Sequence, residues 1–282
     1  LKAWNKKYVF FLPYFLILPT LIYEVFISAY PIAYAIGMAF SGNPPALVQL
    51  FQDFERFKEV IFYTILTIVT VIPLQLIIAI FASIFFLNHF RGRELVLYFF
   101  ILPVAISEVA GALFWYTMFS SSGLLNKLLI WLGVIPNPVY FFGYEFRDRT
   151  LLVIVLEEVW RATAIVFTII YAGIQMINRE YFEAADVFGF NFWQKLRYIT
   201  VPLLKPSIQT ALIIRTLFAF QIVGPILILG GEYIRVMATE VVYWYSQRMD
   251  PYIASAWAVL VGVVTFVLSI LYIRMFRAGE GA

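Results

Sequence analysis

The chain has 282 residues, of which 63% are hydrophobic and only 13% charged, with a mean hydropathy of +0.88. That polar complement is too small to clothe a water-soluble globule of this size, so a lipid bilayer is the expected solvent. The net charge of +3 comes without a dense basic cluster and implies no nucleic-acid role, while the absence of cysteine excludes disulfides, thiolate nucleophiles and Cys metal sites.

Crossing the hydrocarbon takes roughly 20 consecutive, mainly apolar residues in a helix, because only helices and closed barrels satisfy their own backbone hydrogen bonds there. Long unbroken runs favour helices, and six are predicted, at residues 9–33, 61–87, 95–119, 151–174, 207–228 and 252–275. The first is too long for a signal-peptide core and has no clear small-residue cleavage site, so it reads as a retained helix. His89 falls in the short loop between the second and third runs and reads as a solvated residue. The stretch 128–135 is too short to span and lies beside Gly133, Pro136 and Pro138, which predicts an interfacial helix and turn.

Six crossings with an inside amino terminus place eleven basic residues in the cytoplasm: Lys2, Lys6, Lys7, Arg91, Arg93, Arg179, Lys195, Arg197, Lys205, Arg274 and Arg277. Five acids accompany them, whereas the other side holds seven basic residues against eight acids. This positive-inside bias predicts both termini in the cytoplasm and a multi-pass protein of the plasma membrane. No repeat, low-complexity tract or soluble linker interrupts the chain, so residues 1–282 read as one all-α integral membrane domain. Its larger outside pieces are 41–59, 120–149 and 230–250, and its one substantial inside segment is 178–206, between the fourth and fifth runs.

That inside segment predicts two short helices separated by a turn. Asn178 caps the first, Gly189 breaks it, and Asn191 with Gln194 forms a capping box for a second that ends before Pro202. Glu180, Glu183 and Asp186 recur every three residues beside Tyr181, Phe182 and Phe188. Like charges at that spacing repel, and the aromatics would lie uncovered at the membrane surface. A basic, grooved partner would relieve both penalties; a solvated acidic face on a loop helix is the simpler reading.

The residues Glu183-Ala184-Ala185, then Gly189, Trp193-Gln194 and Ile199-Thr200-Val201-Pro202-Leu203-Leu204 resemble the EAA loop of permease subunits of binding-protein-dependent ABC importers, in the carbohydrate variant. The likeness continues through Leu102-Pro103, Ile106-Ser107, Trp160 and Gly230-Gly231, and spans roughly residues 95 to 276. It implies that Glu180, Glu183, Ala184, Ala185, Asp186 and Gly189 couple to an ATPase. Glu183 would face a basic side chain, Ala184 would permit close approach, and Gly189 would supply the turn. The family often has Asp before the glycine and a small residue after it, where this chain has Phe188 and Phe190, which implies a more aromatic docking surface.

No glycine is followed by lysine, so no phosphate-binding loop can be written, and the chain holds no cofactor of its own in this reading. ATP and Mg would sit on a partner ATPase. The resemblance implies two such ATP-binding subunits, a second, homologous permease, and an extracytoplasmic solute-binding protein that delivers the sugar. ATP binding would close the ATPase pair, move the EAA helices and rock the bundle between inward- and outward-facing states.

Ionisable groups at bilayer depth cost roughly 2.5 to 3.5 kcal/mol each and so demand a partner, a cavity or a function. Glu24, Glu108, Glu157, Glu158, Arg161 and Arg215 lie within or near the runs. Arg161 is spaced to pair with Glu157 or Glu158, which would leave one glutamate without it. Glu108, Glu158, Trp160, Phe220 and Gln221 stand where the resemblance implies sugar contacts. Carboxylates and a carboxamide suit hydroxyls, and aromatic faces suit a pyranose ring. The same groups could instead pair with one another or with Arg215 and pack helices.

An ion-coupled secondary carrier is the alternative, with the intramembrane acids as proton sites. Its mark would be an internal repeat with paired broken helices, and the sequence shows none. A membrane-embedded lipid enzyme lacks metal-ligand spacing or a nucleophile–base pair.

Overall fold

The computed structural model describes residues 6–277, and those residues are helical with loops between. Lys2 and Glu280, used in the charge count, and the two chain ends lie outside the described residues. The chain forms two compact units, one from residues up to Phe54 with Val241–Leu260, the other from Glu55–Glu240 with the segment that starts at Val261.

In the first unit, the helix Lys6–Glu24 passes through a π turn at Val25–Ala29 into Tyr30–Ala39. Pro31 lacks an N–H and its ring crowds the carbonyl four residues back. The wider turn before it, where the Tyr30 N–H donates to Val25 O, absorbs that mismatch. Over Leu12–Ala39 the helix is apolar on all sides and almost wholly exposed, the surface of a lipid- or partner-facing span. In the same unit, Asp250 caps the start of Pro251–Arg277 by accepting from the N–H groups of Tyr252 and Ile253.

The second unit carries the bundle. Phe54–Leu87 has 34 residues, roughly 50 Å, and outruns a hydrocarbon core of about 30 Å. Its buried positions Val60, Thr64, Thr67, Val71, Gln75, Ala79, Ser83 and Phe86 follow the helical spacing of three to four and form one inward stripe. The sequence run 61–87 missed its polar first turns, which continue the helix outward to Phe54.

The run 95–119 is not one straight helix. Arg93–Ile101 tightens into a 3-10 turn at Leu102–Ala105, and a new helix starts at Glu108–Phe119, the arms Arg93–Ala105 and Glu108–Trp131 meeting at 103°. Pro103 withholds a donor, Ile106 is extended, and Ser107 caps the restart by accepting from Ala110 N–H. Beyond it, Leu124–Trp131 is the short helix, slightly ahead of the predicted 128–135. Buried Asn126 fixes the following loop by bonding Ser120 O and both backbone groups of Val139.

Arg147–Gln175 runs through the middle of this unit. Val153 and Ile154 pack with Ile72, Ala112, Phe119 and Ile226 in one apolar cluster, and Phe167, Ile170 and Ile174 pack with Phe86, Leu204 and Ala211 in another. Gly173 lets Lys205–Ala219 approach closely, since a Cβ there would fall 2.0 Å from Ser207 Oγ. The run 207–228 is also interrupted: the helix stops at Ala219 and turns at Phe220–Gln221. A π turn follows at Ile226–Gly230, beyond Gly224-Pro225.

Leu12–Ala39, Phe54–Leu87 and Pro251–Tyr272 are each long and apolar enough to cross a membrane, and the bent pair around residue 106 adds a fourth when its arms count as one span. Arg147–Gln175 is long enough but rich in charge, and Lys205–Ala219 has only 15 residues.

Candidate functional site

Between the two apolar clusters, the central helix carries Glu157, Glu158 and Arg161. Arg161 reaches both glutamates, Glu157 at 3.2 Å through Nε and Glu158 through its terminal nitrogen, so neither is left out as the pairing rule suggested. The same guanidinium lies 3.5 Å from Glu108 across the interruption in the third run. Arg215 binds the other oxygen of Glu158 and donates at 2.6 Å to Gln75 Oε1, while Gln75 Nε2 donates at 2.8 Å to the backbone carbonyl of Glu158.

Four segments therefore converge on one polar cluster. Glu157 and Glu158 are wholly inaccessible, and Arg215 is 2% exposed. Two charges taken from water repay the desolvation only with good geometry and further hydrogen bonds, which Arg215 finds in Gln75 and Glu158 finds in Arg161. Glu157 departs from it, because its Oε2 is buried with no hydrogen-bond partner. Glycines clear the space: a Cβ on Gly111 would stand 2.9 Å from Glu157 Oε1, and one on Gly224 would stand 3.0 Å from Glu108 Cβ.

Of the residues the sequence singled out, Glu108 and Glu158 join through Arg161. Trp160 points elsewhere on the central helix, 6.2 Å from Phe114 and 6.1 Å from Trp115 between ring centres. With Phe100, Pro103 and Thr163 it lines a cavity of about 210 Å3. Phe220 is buried and Gln221 exposed, at the interruption after Ala219. Gln75 was missed, although a lone carboxamide inside an apolar run is itself the signal that could have found it. His89 is exposed in its loop.

The segment 178–206 forms as two short helices. Asn178 Oδ1 accepts from Glu180 N–H, and Asn191 with Gln194 completes a reciprocal capping box. Gly189 at φ +71 closes Arg179–Val187, with its N–H donating to Asp186 O and Phe190 N–H donating to Ala185 O, a Schellman ending. The second helix does not stop before Pro202. A π turn at Leu196–Thr200 accommodates the proline and carries the helix to Leu203.

On this segment Ala185 is buried, Glu183 lies 3.4 Å from Arg179, and Asp186 is bound by Lys195 from the second helix. Val187 and Phe188 are 87% and 80% exposed. Phe192 and Trp193 meet Phe81 of the second span at ring-centre distances of 6.5 and 6.2 Å.

The chain thus joins a buried polar cluster on its central helix to a capped two-helix segment at residues 178–206. Residues 50–278 match the family of the binding-protein-dependent transport system inner membrane component, and the chain belongs to it. It is thus a multi-pass component of the inner membrane.

Among its relatives, the trehalose/maltose transport system permease protein MalF of Thermococcus litoralis is 29% identical over 210 residues, covering 73% of this chain and 70% of that protein. The trehalose transport system permease protein SugA of Mycobacterium tuberculosis is 24% identical over 281 residues, covering 95% and 89%. A chain of the bacterial alginate ABC transporter, solved in complex with an alginate pentasaccharide-bound periplasmic protein, superposes with a TM-score of 0.83 at 25% identity. The match covers 100% of this chain and 99% of that one.

Proposed function

We propose that this chain is the transmembrane subunit of an ATP-binding-cassette importer that translocates a sugar delivered by an extracytoplasmic binding protein. The observation that carries the reading is the capped two-helix segment, whose exposed Glu180, Glu183, Val187 and Phe188 form a surface suited to a partner. Ala184 and Ala185 keep the helix slim, and Gly189 turns it back. Two ATP-binding subunits holding ATP and Mg would seat this segment, and a second permease would complete the pathway. The bundle would cross the membrane six times with both termini in the cytoplasm, its fourth and fifth crossings being the charged central helix and the interrupted segment after it.

The sugar assignment draws on the relatives, whose names refer to trehalose, maltose and arabinooligosaccharides. Glu108, Glu158, Trp160, Phe220 and Gln221 would contribute to its path, Glu158 by holding Arg161 rather than by touching solute. The ion-coupled carrier gains two interrupted helices from the structure, yet the family match points to a binding-protein-dependent system instead.

Gentle purification from native membranes with identification of companion chains tests the reading. An ATPase subunit and a second permease should co-purify, with ATP hydrolysis stimulated by a sugar-loaded binding protein. A chain isolated alone, supporting no hydrolysis, would overturn it.

A further inference from the structure

Three glutamates and two arginines make up the charged part of the buried cluster, and no cation is left over. Arg215 is occupied by Gln75 and Glu158, and Arg161 is shared among Glu157, Glu158 and Glu108. The surplus lies on the acceptor side. Glu157 Oε2 is fully buried without a partner, and the Glu108 carboxylate, 43% exposed, is held by one contact of 3.5 Å, beyond ordinary hydrogen-bond length.

Glu108 is also the member of the cluster that reaches outward. It stands at the restart of one interrupted helix and against Gly224, in the interruption of another. Irregular backbone at bilayer depth is tolerated where it lines a cavity or is buried in protein, and paired interruptions of this kind frame solute sites. The surface offered there can accept hydrogen bonds but has no unpaired guanidinium to offer. Sugar hydroxyls donate to such carboxylates, whereas a uronate brings its own negative charge against Glu108.

We infer that Glu108 makes this subunit's pathway selective for neutral, hydroxyl-rich sugars over sugars bearing carboxylates. The inference rests on the importer reading and adds the charge class of the solute. Glu158 acts as a positioning residue that holds Arg161, and Gln75 and Arg215 position Glu158 in turn.

The test uses the intact transporter without its binding protein, so that the permease alone is read. Isothermal titration compares trehalose, maltotriose and arabinotriose with trigalacturonate, in wild type, Glu108→Gln and Glu108→Arg, each checked for assembly with the ATPase. At least one neutral sugar should bind roughly tenfold or more tightly than the uronate. Glu108→Gln should narrow that gap and Glu108→Arg should reverse it. Uronate binding equal to or tighter than that of the neutral sugars in wild type, or a preference unmoved by both substitutions, would overturn the inference while leaving the importer reading intact. Binding of none of the four would overturn the sugar reading itself and the inference with it.

Discussion

Glu108 and Gly224 touch across two interrupted helices, so that a methyl group on the glycine would lie 3.0 Å from the glutamate Cβ and 3.4 Å from its backbone carbonyl carbon. Neither atom is the free end of a flexible side chain, so one backbone must give way. Gly224→Ala should therefore displace Glu108 at a cost of about 1–3 kcal/mol, with transport falling more than assembly. Uptake measured at equal membrane content checks this, and unchanged uptake would show that the contact relaxes freely.

Arg215 neutralises Glu158 from inside the bundle and holds Gln75 in place. Arg215→Met should destabilise the protein by about 3–5 kcal/mol, because a buried carboxylate loses one of two cations and a buried carboxamide loses its donor. Adding Glu158→Gln should recover part of the loss. Thermal unfolding in detergent of the two variants and the wild type reads both effects.

The starts of both short helices in segment 178–206, and the end of the first, were legible in the sequence. Asn178, Gly189 and the Asn191–Gln194 pair announced them because capping is local chemistry. The interruptions at Ser107 and after Ala219 were not, since apolar side chains continue through both and hydropathy does not register a missing backbone bond. Pro103 and the Gly224-Pro225 pair were the available signals. Pairing inside the central helix could be anticipated from spacing, but the convergence of Gln75, Glu108 and Arg215 on it is tertiary. Spacing alone therefore assigned Arg161 one partner where the fold gives it three.

Glu183 makes only an exposed 3.4 Å pair with Arg179, so its replacement should leave the bundle unharmed. Glu183→Lys should preserve membrane insertion and remove ATPase attachment or sugar-stimulated hydrolysis. The natural absence of cysteine makes a single Val187→Cys a clean probe. It should cross-link to the ATPase in the wild-type background and lose that cross-link with Glu183→Lys.

Phe81 links the helix Phe54–Leu87 to Phe192 and Trp193 of segment 178–206. Phe81→Ala should cost about 1 kcal/mol or less in stability, its ring being partly exposed already, yet weaken the mechanical connection. The expected signature is ATP hydrolysis retained with less sugar moved per ATP. Equal losses of both would place Phe81 in general packing.

The most direct measurement is ATP-driven uptake into proteoliposomes containing the co-purified complex, with sugar-loaded binding protein on the extracytoplasmic side. Accumulation of labelled sugar that requires ATP and binding protein, and disappears with Glu183→Lys, is the result the importer account predicts. Uptake that follows an ion gradient and ignores ATP would contradict it and return the buried glutamates to the role of proton sites.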